Sequence, residues 1–213
     1  MIAIMSMSPA AREARLAQDP YLAALGAATL RGARVFAAPA GTVLFRAGGH
    51  PGSLYYVLEG EALMQRTTRS GAPVILQRAT RAFLAEASLT SGRYHCDAVC
   101  RTDCALAAFP IDGIRSAIDG NREVRWAWIE MLAAQSRRQR ASIERMSLKT
   151  VRERLHHLVL TEGSPAGVYP LRGTRAELAA EIGVTPEALY RALAALQVDG
   201  SLSLEGSSIR WRR

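Results

Sequence analysis

The sequence predicts an α+β chain of three successive parts: a small closed β-structure, one long helix, and a compact C-terminal domain of short helices and a hairpin. Three observations carry this. Between Arg34 and Phe109 short β-type runs alternate with glycine-rich breaks. From Arg122 to near Met146 apolar residues recur three and four apart. From Thr174 to Leu196 two capped helical patterns meet across a glycine. The expected boundaries are 1–120 for an N-terminal arm and β-domain, 121–147 for the long helix and 148–213 for the C-terminal domain. A chain of 213 residues with 49% hydrophobic content can fill such cores.

Residues Met1 to about Leu30 are Ala-rich with scattered Arg, and Pro9 and Pro20 break them into a loose arm and one short helix near Tyr21–Leu30. Strand-like runs follow at Val35-Phe36, Thr42–Phe45, Ser53–Leu58, Glu61–Met64, Pro73–Leu76, Asp97–Cys100 and Cys104–Phe109. Gly41, Gly48-Gly49, Pro51-Gly52, Gly60 and Ser70-Gly71 punctuate them. This is the rhythm of one β-domain over residues 34–110.

The chain becomes helical from about Ile111, and Asp119-Gly120-Asn121 is a break able to cap a helix from Arg122 to near Met146. Ile129, Leu132, Ser136, Gln139, Ile143 and Met146 form its seam, the spacing of a helix pairing with a parallel copy of itself. A helix packed on its own domain would show a similar stripe. A solvated basic face accounts for Arg137, Arg138, Arg140 and Arg145. Near Ser147 the helix breaks, and a second helix from Lys149 to Thr161 turns Val151, Leu155, Leu158 and Val159 inward. His156 and His157 on it have no second ligand pair spaced to meet them, so a surface or packing role is expected rather than a metal site. Val168–Leu171 is a short strand.

Thr174 with Glu177 has the form of a capping box. Leu178 and Ile182 share one face, Gly183 permits a tight exit and Val184 plugs the turn. Thr185 as N-cap and Pro186 at the first helical position launch a second helix, with Leu189, Leu193 and Leu196 as its buried stripe. Its opposite face carries Glu187, Tyr190 and Arg191, with Thr185 and Pro186 at the tip. Gln197–Ser201 is a stop, and Leu202–Leu204 and Ile209–Trp211 form a hairpin around Glu205–Ser208. Two capped helices across a turn can be an ordinary helical hairpin, but a hairpin wing beside the second helix suits a reader of a DNA major groove. Arg175, Thr185, Pro186, Glu187, Tyr190, Arg191 and Arg210 are the candidate DNA-binding residues, with Arg212 and Arg213 near phosphates.

The net charge of +8 favours a polyanionic partner, yet nine Lys and Arg stand against seven Asp and Glu from Leu148 onward, and eighteen against twelve before it. Charge therefore does not locate the DNA surface, and a generally arginine-rich chain would show the same total. Three cysteines argue against a disulfide framework. The start of the chain lacks a leader pattern and no run of about 18 apolar residues occurs, so a cytoplasmic chain with no membrane partner is expected.

Gly41–Gly48 (GTVLFRAG), Leu54–Glu61 (LYYVLEGE), the long helix and the winged helix-turn-helix, in that order, resemble the CRP/FNR family of bacterial transcription regulators over about residues 22–213. The resemblance implies a cupin-like or cyclic-nucleotide-binding-like β-roll, a homodimer and an inverted-repeat duplex as target, and it admits RNA polymerase as a partner. In the family the recognition helix commonly presents Arg, Glu and Arg to base edges, positions that fall here on Pro186, Glu187 and Arg191. Proline offers no donor, so half-sites should differ from the best-known family consensus at the base read there. The family's effector cassette ends in a glutamate, matched by Glu86 within Phe83–Leu89. Its later Arg-Ser pair is replaced by Cys96 and Asp97, and Arg93 is out of register. A cyclic phosphate loses its counter-charge there, so no useful cAMP affinity is expected.

Glu86, His95, Cys96, Asp97 and Ser136 remain the candidate effector pocket. Cys96, Cys100 and Cys104 are four apart, so on extended chain all three can point to one side. They suit small buried core residues, a thiol-based redox or metal sensor using His95, or haem held by His95 or Cys96 as in some gas-sensing relatives. A vestigial pocket is a further option. No cofactor or metal is predicted, and three thiols fall short of an iron–sulfur cluster's usual four.

The reading is a homodimeric, sequence-specific DNA-binding regulator that catalyses nothing. Its rival is a ligand-binding regulatory or scaffold protein whose C-terminal domain binds protein. An enzyme is disfavoured because no nucleophile–base pair, phosphate loop or metal-ligand spacing stands out.

Overall fold

The computed structural model describes residues 8–67, 73–171 and 173–212. The Ser70-Gly71 turn and Arg213 lie outside them. The chain divides into two compact units, Met1–Glu130 and Met131–Arg213. The division falls inside the long helix rather than at either of its ends.

The first unit opens with helices α1 (Pro9–Leu16), α2 (Pro20–Ala23) and α3 (Gly26–Arg31). The expectation of a loose arm and one helix near Tyr21–Leu30 is corrected here, because Leu16, Leu22, Leu25 and Leu30 are all buried. A polar anchor holds them as well. Asp19 caps α2 by accepting from the Tyr21 and Leu22 amides at 3.0 and 3.4 Å. Its other oxygen accepts from the Tyr56 hydroxyl at 2.7 Å and the Arg81 guanidinium at 2.8 Å. Burial, then the Asp19 carboxylate, pushes the Tyr56 hydroxyl up from its ordinary value.

Eight strands follow: β1 (Arg34–Ala38), β2 (Val43–Phe45), β3 (Ser53–Glu59), β4 (Ala62–Thr67), β5 (Pro73–Ala79), β6 (Phe83–Leu84), β7 (Asp97–Cys100) and β8 (Cys104–Pro110). They form two four-stranded antiparallel sheets, ordered β1-β8-β3-β6 and β2-β7-β4-β5. Every predicted strand is present, and β6 is added. Two residues are too few to display a period, and β6 exists only by pairing Tyr55 and Tyr56 of β3. All of Cys104–Phe109 is buried, so β8 shows no alternation and reads as a continuous apolar run. Between β3 and β4 Gly60 has φ +84°, and a Cβ there would collide with the Asp103 carbonyl.

Helix α4 (Ile111–Gly120) packs on β8, and Asn121 then caps α5 (Arg122–Ser147) by accepting from the Glu123 amide at 2.8 Å. Val124 and Trp128, on the first turns of α5, are buried in the β-roll unit, with Trp128 edge-on to Phe83 at 5.3 Å.

In the second unit a capping box of Thr150 and Glu153 starts α6 (Val151–Glu162). Strand β9 (Val168–Pro170), α7 (Arg175–Glu181), α8 (Pro186–Val198), β10 (Leu202–Glu205) and β11 (Ser208–Trp211) complete it. Its core is one cluster that includes Leu155, Leu158, Tyr169, Leu178, Ile182, Leu189, Leu193, Leu196 and Ile209. Among the described residues no helix is long and apolar enough to cross a membrane.

Candidate nucleic-acid interface

The interface is built from two helix starts and a turn. Thr174 Oγ1 accepts from the Glu177 amide at 3.2 Å, while the Glu177 carboxylate accepts from the Thr174 amide at 2.7 Å. After α7, Gly183 takes φ +66° and Val184 is half-buried behind it. Thr185 Oγ1 then accepts from the Ala188 amide at 3.2 Å, and Pro186 opens α8. Leu189, Leu193 and Leu196 face the core as their spacing predicts, and α8 continues to Val198 before Asp199 and Gly200 end it.

That burial leaves a defined outward face. Thr185, Glu187, Tyr190 and Arg191 are exposed and Pro186 is half-buried. Arg175 at the start of α7 stacks its guanidinium over the Tyr190 ring at 6.0 Å, joining the two helices across the face. Hydrogen bonding at the helix start, from its own backbone amide and then from Thr185, holds the Glu187 carboxyl below the usual range, with the Arg191 charge adding to it. Glu187 is therefore an acceptor at neutral pH, suited to a cytosine amino group, and Arg191 beside it is a donor fork suited to guanine.

The wing is a three-stranded antiparallel sheet ordered β10-β11-β9, with its tip at Gly206-Ser207. One expected phosphate contact is already engaged. Arg210 Nε donates to Glu205 at 2.6 Å, which lowers the Glu205 carboxyl below its usual range. Arg212 is exposed. His156 stacks on Trp211 at 4.6 Å and His157 Nε2 lies 3.3 Å from Glu144, so both histidines have packing roles.

Arg154 was not singled out in the sequence. Its guanidinium donates to the carbonyls of Met146, Leu148, Ile182 and Gly183 at 2.8–3.1 Å. Backbone acceptors leave no pattern in side-chain order, so nothing in the sequence marks it.

Of the candidate effector residues, Glu86, Cys96 and Asp97 come together. Glu86 is buried in a single 3₁₀ turn, Glu86–Leu89, that follows Ala85 at φ +71°. Glu86 and Asp97 lie close enough to Cys96 for their charges to raise its thiol, after burial, the larger cause. His95 is exposed, and its carbonyl accepts from Arg66 at 2.9 Å. Ser136 lies in the other unit.

Asp97 accepts from the Ala47 amide at 2.7 Å. The charge of Arg66 on β4 acts on the Cys96 thiol in the lowering direction, against the larger effect of burial. The three cysteines do not share one extended run: Cys100 ends β7 and Cys104 begins β8 in the other sheet. Burial, then Cys104, pushes the Cys100 thiol up to about 12. Neither Cys96 nor Cys100 has the exposed, low-pKa surroundings of a reactive thiol. Among the described residues no three His, Cys, Asp or Glu side chains are grouped to hold a metal ion.

On α5 the seam residues Ile129, Leu132, Ile143 and Met146 are all at least 40% exposed, and Trp126 is 54% exposed beside them. Gln139 is exposed and Ser136 half-buried. Met146 also turns toward Gly183, where its sulfur would lie 2.6 Å from an added Cβ.

Residues 35–121 match the family model of the cyclic nucleotide-binding domain. No curated protein matches the chain. Among solved structures, FixK2 from Bradyrhizobium japonicum is similar with a TM-score of 0.69 at 20% identity, over 85% of this chain and 93% of that one. The c-di-GMP-responsive global regulator CLP from Xanthomonas campestris gives 0.64 at 23% identity, over 85% and 95%. TTHA1359, a CRP/FNR-family transcriptional regulator from Thermus thermophilus, gives 0.62 at 22% identity, over 84% and 94%. The chain thus has the fold of the CRP/FNR transcription regulators, a cyclic nucleotide-binding domain joined through a long helix to a winged helix-turn-helix.

Proposed function

We propose that the chain is a cytoplasmic, homodimeric, sequence-specific DNA-binding transcription regulator that acts without catalysis and without cAMP. The observation that carries this is the outward face of α8. A buried leucine stripe fixes the helix, and the face it leaves presents an ionised Glu187, Arg191 and a Tyr190 braced by Arg175. Two such faces, paired through the exposed seam of α5, suit an inverted repeat. RNA polymerase is the partner a DNA-bound regulator would meet.

The test is selection from a random duplex library at about 0.15 M salt, with no nucleotide added and thiols reduced. An enriched inverted repeat with half-sites about one helical turn apart supports the reading. Retention without enrichment, or binding unaffected by Arg191→Ala, turns it toward a protein-binding scaffold. Independence from cAMP rests on Cys96, a buried thiol, standing where the family's arginine would; the nearby Arg66 is not in that place and donates to the His95 carbonyl at 2.9 Å. Calorimetry should detect no cAMP binding, and micromolar affinity would overturn this part.

A further inference from the structure

One side chain, Arg154, ties the turn before α8 directly to the end of the long helix. Between α5 and α6 only Leu148, Lys149 and Thr150 lie outside helix, a short stretch about which the rest of the second unit could turn. Arg154, in the first turn of α6, spans it. Before the break its Nη2 donates to Met146 O at 3.1 Å and its Nε to Leu148 O at 2.9 Å. Beyond it, Nη1 donates to Ile182 O at 3.0 Å and Gly183 O at 2.8 Å, the carbonyls of the turn that launches the recognition helix.

A guanidinium is a rigid fork of five donors, so one group holds four carbonyls from two segments at once. The ammonium of a lysine would hold fewer and let them move. Met146 seals the same junction by resting on Gly183. One residue earlier, Arg145 is 1% exposed and pairs with Glu162 and with Thr161 Oγ1, holding the last turn of α5 to the far end of α6. Arg154 makes no contact with Glu187, Tyr190 or Arg191 on the outward face of α8, and it reaches the α5 seam through the Met146 carbonyl.

We infer that Arg154 is a positioning residue that sets the separation of the two recognition helices in the dimer, and with it the half-site spacing that the protein accepts. This rests on the DNA-binding reading above. Arg154 contributes no base or phosphate contact of its own. Its loss leaves each head able to read a half-site while the two heads lose their common spacing.

The experiment uses the full-length chain and the selected inverted repeat. Duplexes are made in which the half-sites move apart or together by one and two base pairs, about 3.4 Å each. A duplex with a single half-site is the control. Wild type should bind the selected spacing at least about tenfold more tightly than its one-base-pair neighbours. In Arg154→Lys and Arg154→Met that ratio should fall to about two or less, with single-half-site affinity within about twofold of wild type. A spacing ratio that stays at the wild-type value in both variants overturns the proposal. So does single-half-site affinity that collapses together with the ratio, since Arg154 is then only holding the domain folded. If wild type enriches no inverted repeat, the DNA-binding reading itself has failed, and that result is visible before any variant is made.

Discussion

A side chain's worth here depends on what already engages it. Arg210 looks in sequence like a phosphate contact, yet its Nε is 2.6 Å from Glu205 and both groups are well exposed. Replacing Glu205 with Gln frees that cation at the wing. The slope of log K against log salt should steepen by about 0.9, one phosphate's worth. An unchanged slope would mean that the wing stays away from the backbone. Gly60 shows the opposite case, a residue chosen for what it lacks. Gly60→Ala meets a positive φ, costing about 1–2 kcal/mol, and a collision with the Asp103 carbonyl besides. Urea unfolding should report a loss of at least about 2 kcal/mol, and a loss below about 0.5 kcal/mol would show that the Gly60 turn can relax.

At the scale of elements, β7 and β3 each bury an acid that must stay protonated. Cys100 ends β7 with its thiol pushed from 9.0 to about 12, chiefly by burial, and Tyr56 on β3 is also raised above its ordinary 10.0. For an acid whose folded value is raised, the native state holds the proton longer than the unfolded chain. The associated stability is complete below pH 9 and is lost as pH rises from 9 toward 12. Each pH unit in that window removes up to about 1.4 kcal/mol per group. Urea midpoints measured from about pH 8 to 11 should fall, and Cys100→Ser should make the fall shallower. Equal slopes for the two proteins would show that the Cys100 thiol reaches water when ionised.

At the scale of the whole molecule the exposed stripe on α5 is the outstanding feature. Ile143 is 68% exposed and Leu132 40%, on a helix that buries Val124 and Trp128 near its start and Arg145 near its end. Apolar side chains repeated along one face at this exposure need a cover, and in the proposed homodimer a second copy would supply the matching stripe. Leu132→Glu places two carboxylates against each other across that pairing. Sedimentation should show a shift from dimer to monomer at micromolar concentration, and affinity for the inverted repeat should drop at least about tenfold. A variant that stays dimeric would move the dimer contact to another surface.

Much of this architecture was legible in residue order because its signals are local. Thr174 with Glu177, Thr185 with Pro186, and Asn121 before α5 mark helix starts through hydrogen bonds that span three residues or fewer. The leucines of α8 and the seam of α5 follow a period that any helix of that sequence would display. The longer roll strands carry enough apolar residues between breaks to be seen, whereas β6 has only two residues and depends on its neighbour. The elements, their order and the outward face of α8 therefore follow from neighbours along the chain. What the folded chain added is which polar groups are spent. Asp97 is taken by the Ala47 amide, Asp19 by Tyr56 and Arg81, Arg210 by Glu205, and Arg154 by four carbonyls of two segments. Most of these partners are distant in sequence and many are backbone atoms, which every residue possesses. A pattern of side chains carries no mark of them, and only packing brings donor and acceptor together.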